Sequence, residues 1–334
     1  MRFNPPPSWP TPPPGWTPPA GWSPDPSWPA PPPGWAFYVP APSRLRRVFS
    51  WPRIPLEPSV AEARQRDRKP SGVEILLVLA IFPLGSAIIA IASLVQQHTE
   101  HETTVGYTRN LFPDRPLLSA AFNVGLAAAG VVPAFLALYL LRLSGGGPTV
   151  LGLTKTGRRA DLSRTGKLFL YGWVLPFLLV GVAVNSGGVK AKTVDLPGSR
   201  WFLVPLLLSA VVAGIVEEIV VLGFLVWRLQ QRGWPFWKIV VVADIVRTSY
   251  HLYYGLSALA VAAWGAMSVL LFLRRPRVLP FIVIHVLWDM TAFIGRYTND
   301  GTAAALFFGE VVLYLVLWLT SRRTAVAEHD AALA

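Results

Sequence analysis

The chain contains no cysteine. That absence excludes disulfides, thiolate metal sites and cysteine nucleophiles. Charge is scarce as well. Only 14% of the 334 residues are Asp, Glu, Lys or Arg, against about 25% in an ordinary soluble domain. Acidic residues are the rarer sign, 18 against 30 basic, which leaves a net charge of +12. The N-terminus lacks the short apolar core of a cleavable signal peptide, so none is expected.

What fills the chain instead is apolar. Hydrophobic residues make up 53% of it and the mean hydropathy is +0.45. Several apolar runs reach about 18 residues or more, the length that crosses a bilayer as helix. The fold class this predicts is all-α: a polytopic membrane helical bundle of about eight transmembrane helices. The spans are expected at 73–95, 117–141, 167–184, 201–226, 239–254, 256–273, 278–295 and 303–320. The fifth and sixth are short and are expected to tilt against each other around Gly255. The basic excess does not point to nucleic acid. Most Lys and Arg lie in loops beside apolar runs, where they set topology and meet anionic lipid.

Residues 1–43 form a low-complexity segment with Trp9, Trp16, Trp22, Trp28 and Trp35 spaced by proline-rich units. Proline at this density favours polyproline II and opposes helix or sheet, which predicts a disordered cytoplasmic tail. Its tryptophans suit it to docking a partner or the membrane interface. Residues 44–71 read as a basic juxtamembrane linker, with Arg44, Arg46, Arg47, Arg53, Arg64, Arg66, Arg68 and Lys69, expected to lie against the inner leaflet. Residues 72–321 are the membrane domain and 322–334 a short cytoplasmic tail. Lys and Arg favour one side at every crossing, for example Lys155, Arg158, Arg159 and Arg164 against Lys190, Lys192 and Arg200. With membrane lipids as surroundings, this predicts a multi-pass protein of the plasma membrane with both termini in the cytoplasm.

Glu217 and Glu218 are adjacent inside an apolar run. A carboxylate near the bilayer centre costs roughly 2.5–3.5 kcal/mol to insert, so two in succession signal function. Later spans carry Arg247 and His251, then His285 and Asp289. At a rise of about 1.5 Å per residue, Glu217 lies roughly 15 Å above the end of its span at Trp227. His251 lies roughly 20 Å above Lys238, and His285 and Asp289 roughly 10 and 16 Å above Val278. Separate spans thus carry their polar groups to similar depth. His285 and Asp289 are four residues apart and share a helix face, as do Arg247 and His251. Asp244 is spaced to pair with Arg247. Glu217 and Glu218 diverge by about 100°, so one is expected to face the site and the other to support it. A buried carboxylate is suited to act as general base toward water. Two histidines and a glutamate also make a zinc ligand set, Glu217, His251 and His285 being the candidates. Spacing leaves both chemistries open. Tyr250, Tyr253 and Tyr254 read as interfacial anchors or bundle packing, Trp288 as packing and Glu310 as structural.

These residues resemble the CPBP family of intramembrane proteases, also called the CAAX protease and bacteriocin-processing or Abi family. Its Glu-Glu-x-x-x-Arg motif corresponds to Glu217-Glu218-Ile-Val-Val-Leu222. Its Phe-x-x-x-His motif corresponds to Arg247-Thr-Ser-Tyr-His251, and its His-x-x-x-Asn/Asp motif to His285-Val-Leu-Trp-Asp289. The match covers roughly 200–296. Leu222 stands where the first motif has Arg, and Arg247 where the second has Phe; Arg247 is the available replacement. The resemblance implies that 72–321 is an intramembrane endopeptidase domain. Glu217 would activate the hydrolytic water and His251 would assist it or bind metal. His285 and Asp289 would complete a metal site or stabilise the oxyanion. The implied substrate is a membrane-associated or lipidated peptide or protein. Two other readings stay open: a catalytically impaired relative acting as a membrane scaffold, and a transporter using the polar cluster as a proton relay.

Overall fold

The computed structural model describes most of residues 2–39 and nearly all of 56–100, 112–154 and 203–297, with isolated positions from 305 to 316. The expected span at 167–184, most of that at 303–320, and Glu310 lie outside the described residues. The chain divides into two compact units, Met1–Arg53 and Ile54–Ala334.

The described residues of the first unit, expected from sequence to be a disordered tail, carry local structure. Strands β1 (Arg2–Phe3) and β2 (Tyr38–Val39) pair antiparallel, Arg2 opposite Val39 and Phe3 opposite Tyr38. Between them the amides of Trp9, Trp22, Trp28 and Trp35 donate to the carbonyls of Pro6, Pro19, Asp25 and Pro32 at 3.0–3.1 Å. A turn of this kind takes its one N–H from Trp and only a carbonyl from the residue three before it, so proline does not block it. The six- and seven-residue spacing therefore repeats a turn. It gathers Phe3, Trp9, Trp16, Trp22 and Trp28 into an edge-to-face and tilted aromatic cluster with centroids 5.2–6.4 Å apart. The indole N–H of Trp9 donates to the Pro29 carbonyl and that of Trp35 to the Asn4 carbonyl, at 2.7 and 2.9 Å.

The second unit is helical. Helix α1 is Pro58–Arg66, and α2 (Gly72–Leu79), a π-helical turn (Ala80–Leu84) and α3 (Gly85–Glu100) follow. The π turn falls at Pro83, whose missing N–H breaks the regular ladder. Helices α4 (Pro116–Ala129) and α5 (Val132–Leu143) run on through Gly130, and Pro148–Leu151 is a 3-10 turn. Then come α6 (Leu203–Glu217), a second π-helical segment (Glu218–Leu225) and α7 (Val226–Gln231). Helix α8 (Phe236–Ser249), a 3-10 segment (Leu252–Ser257), α9 (Ala258–Arg274) and α10 (Leu279–Tyr297) complete it.

Three helical stretches are long and apolar enough to cross a membrane: Gly72–Val95, Pro116–Leu143 and Leu203–Gln231. They match the first, second and fourth expected spans. The fifth, sixth and seventh take form as shorter helices, so the described residues do not reach the expected count of eight. Helix α8 stops at Ser249, and Gly255 then adopts φ +58°, a left-handed turn that breaks the chain between α8 and α9. The Leu203–Gln231 stretch is the most enclosed of the three; every residue of its π-helical segment is buried.

The basic linker is also more structured than expected. Helix α1 docks on the bundle rather than presenting all its cations to lipid. Arg64 donates through Nε to the Val150 carbonyl at 3.0 Å, and its guanidinium stacks over Trp227 at 4.0 Å. Burial pulls the Arg64 guanidinium down to about 10, against the opposing pull of Asp67. Asp67 is the hub. One carboxylate oxygen accepts from Trp227 Nε1 at 2.5 Å, Arg228 at 2.9 Å and Gln231 at 3.1 Å, and the other from the Ser144 hydroxyl. Asp67 and Arg228 are both fully enclosed. This network joins the end of α1 to the ends of α5 and α7. Asp67→Ala leaves Arg228 buried without its carboxylate and should cost about 3–5 kcal/mol of stability. Asp67→Ala with Arg228→Met should recover much of the loss, read as thermal unfolding of the purified protein in detergent.

Candidate active site

Helix type changes between the two glutamates: α6 ends at Glu217 and the π-helical segment begins at Glu218. π-helical insertions recur at functional sites because they re-aim side chains without ending the helix. The two carboxylates here go to separate partners. Glu218 is fully buried and takes a bidentate pair from Arg247, Nη1 to Oε1 and Nη2 to Oε2, both at 2.8 Å. His285 Nδ1 donates to the same Oε1 at 2.9 Å. Glu218 thus ties α8 and α10 to the helix that carries it. Such two-pronged geometry suits a desolvated arginine, whose donors match both carboxylate oxygens.

Glu217 faces the other way. Its Oε2 lies 3.9 Å from His251 Nε2 and 3.9 Å from His285 Nε2, and it accepts from the Tyr250 hydroxyl at 3.0 Å. His251 Nδ1 donates to the Arg247 carbonyl at 2.9 Å. A carbonyl only accepts, so Nδ1 holds the proton and Nε2 turns toward Glu217. His285 Nε2 also lies 3.6 Å from Asp289 Oδ2, across one helical turn. The six residues singled out from the sequence, Glu217, Glu218, Arg247, His251, His285 and Asp289, therefore meet in one cluster. The depth estimates made from separate spans agree with this.

Close backbone approach makes the cluster possible. A Cβ on Gly214, three residues before Glu217, would lie 2.6 Å from a Val286 methyl and 3.0 Å from its amide nitrogen. Small residues let membrane helices come this near. Gly214 thereby brings α6 onto the turn of α10 that carries His285.

Two expectations change. Arg247 does not pair with Asp244, three residues earlier, but with Glu218 from another helix. It supplies the cation that Leu222, itself fully buried, cannot. The second change concerns Tyr250, read from sequence as an interfacial or packing residue. It is 2% exposed and bonds Glu217. The sequence signal lay beside it: a tyrosine adjoining a motif histidine, just before the break at Gly255. Trp288 packs against the core as expected.

The zinc expectation meets a geometric obstacle. A tetrahedral ion with bonds of about 2.0–2.1 Å holds its ligands roughly 3.4 Å apart. Both Nε2 atoms stand 3.9 Å from Glu217 Oε2. No group of three or more His, Cys, Asp or Glu among the described residues is placed to hold a metal ion. No step below uses zinc.

Residues 199–291 match the family model described as type II CAAX prenyl endopeptidase Rce1-like. Over these residues the chain is similar to that family. The matched stretch contains every residue of the cluster. No curated protein and no solved structure matches the chain. Within the matched stretch the Arg247–Glu218 pair should dominate folding energetics. Arg247→Met leaves the buried Glu218 carboxylate without its bidentate cation, held by His285 alone, and should cost about 3–5 kcal/mol. Adding Glu218→Gln removes the stranded charge, so the double variant should be more stable than Arg247→Met alone, as a double-mutant cycle by thermal unfolding would record.

Proposed function

We propose that the protein is an intramembrane endopeptidase that hydrolyses a peptide bond of a membrane-associated or lipidated substrate, with Glu217 activating the water. The observation that supports this most directly is the convergence of two imidazole Nε2 atoms, one from the turn after α8 and one from α10, on one oxygen of Glu217 at 3.9 Å each. A water about 2.8–3.0 Å from both ends of such a gap spans it. Glu218 is already held by Arg247 and His285, which leaves Glu217 as the carboxylate available for proton transfer.

The chemistry follows from the donors. Glu217 takes a proton from the water, whose oxygen bonds to the substrate carbonyl carbon. His251 presents an unprotonated Nε2 to orient that water. His285 has carboxylates facing both of its nitrogens, so each is suited to donate, and Nε2 donates to the oxyanion as it forms. Asp289 holds that imidazole in line. The C–N bond then breaks, and the leaving amine takes the proton from Glu217. The products are a carboxylate and an amine. Arg247 pairs with Glu218 where Leu222 replaces the motif arginine, which supports the catalytic reading over that of an impaired scaffold. Prenyl endopeptidase activity, for which the matched family is described, suits a site enclosed by apolar helices.

A cleavage assay on farnesylated CAAX peptides in detergent or liposomes tests the reading. Glu217→Gln keeps shape and should abolish hydrolysis while the protein stays folded. His251→Ala and His285→Ala should be comparably inactive, with double variants no worse than singles, because the three act as one unit. Full activity of Glu217→Gln would exclude the mechanism.

The orientation proposed has both termini and the 143–166 loop in the cytoplasm of a plasma-membrane protein. Since the natural chain has no cysteine, single cysteines placed after Gly146 and after Val189 should label from opposite sides. Labelling of both from the same side would refute it.

A further inference from the structure

Glu217 is a buried carboxylate whose Oε2 faces both imidazoles. The terminal torsion of a glutamate is broad, and rotation would swing Oε2 away from the two imidazoles. Among the described residues, Tyr250 is the side chain that donates a hydrogen bond to Glu217. Its hydroxyl meets Oε2, the oxygen that faces both Nε2 atoms, at 3.0 Å.

The backbone explains how Tyr250 and His251, adjacent in sequence, serve the same oxygen. In a continuing α-helix neighbours diverge by about 100°. Here α8 ends at Ser249, and Tyr250 takes φ −89° and ψ 4°, outside the helical basin. The His251 amide then closes a turn on the Thr248 carbonyl at 2.9 Å. That turn lays the Tyr250 ring beside the His251 imidazole, centroids 4.6 Å apart. Phe82, in the π-helical turn of the first membrane stretch, packs on the other side at 5.5 Å. The tyrosine is therefore braced by an element outside the Rce1-like match, and its hydroxyl cannot wander.

We infer that Tyr250 is a positioning residue, one that holds the Glu217 carboxylate toward the water shared with His251 and His285. The inference rests on the reading of Glu217 as the base. Tyr250 makes no bond to the substrate. It acts by removing the carboxylate orientations in which the proton cannot be taken.

Tyr250→Phe tests this, because it deletes one oxygen and keeps the ring packing on His251 and Phe82. The full-length protein in liposomes would be assayed with a quenched fluorescent farnesylated CAAX peptide. A lost hydrogen bond to a charged group predicts a fall in kcat of about 10- to 100-fold, with KM little changed. Thermal unfolding should stay within about 2 °C of the parent. Tyr250→Phe combined with Glu217→Gln should be no less active than Glu217→Gln alone. Infrared difference spectra supply a readout independent of turnover. The carboxylate band lost in Glu217→Gln should shift in Tyr250→Phe. An unshifted band, or an unchanged kcat beside an inactive Glu217→Gln, overturns this inference and leaves the reading of Glu217 standing. Wild-type kcat in Glu217→Gln overturns that reading instead.

Discussion

The buried pair between Glu218 and Arg247 is the constraint on which the packing of the surrounding helices depends. A single carboxylate in hydrocarbon costs a few kcal/mol, and a cation there costs as much. Neither residue is tolerable alone, and each fixes the other through two parallel 2.8 Å bonds. Because the partners lie on different helices, neutralising the charges also fixes how those helices meet. His285 joins at 2.9 Å and brings a third helix into register. Charge burial, usually a cost, here sets the relative positions of α8, α10 and the helix that bears both glutamates.

That register leaves Glu217 pointing away from the structural pair. The change from α-helix to π-helix between adjacent glutamates separates their duties. One carboxylate is saturated with fixed donors and is inert. The other keeps an open side toward two imidazoles. The same residue type, at neighbouring positions, thus meets different surroundings because its partners differ.

A second polar network works at the far end of the same helix. Asp67 gathers Ser144, Trp227, Arg228 and Gln231. The helix that carries the site is therefore anchored by enclosed ion pairs near its middle and at its end, with apolar packing between. In a bundle where lipid competes equally for apolar faces, such polar ties specify which helices associate. The Arg64 stack on Trp227 extends that anchoring to α1, a segment whose charge alone suggested that it lay on the lipid surface.

Much of the site was legible in the chain itself. Charged residues in apolar runs are so rare that Glu217, Glu218, Arg247, His251, His285 and Asp289 stood out without any structure. Their motif spacing and helical rise also indicated that they share a depth. Periodicity and length located the long spans for the same reason: hydrocarbon thickness imposes a minimum on apolar runs. What the chain could not reveal was which partner each group would take. Arg247 is three residues from Asp244, yet it pairs with Glu218, because the pairing is decided by how α8 packs against its neighbours. Tyr250 looked like one more aromatic near a helix end; only the turn after Ser249 carries its hydroxyl to Glu217. The proline-rich tail looked unable to pack, but its tryptophans supply turn donors that proline cannot, and they collect into one aromatic cluster. Composition and spacing determined that polar chemistry lies inside an apolar helical chain. Tertiary structure decided which carboxylate is held and which is open, since hydrogen-bond partners from separate helices are chosen in space and not along the sequence.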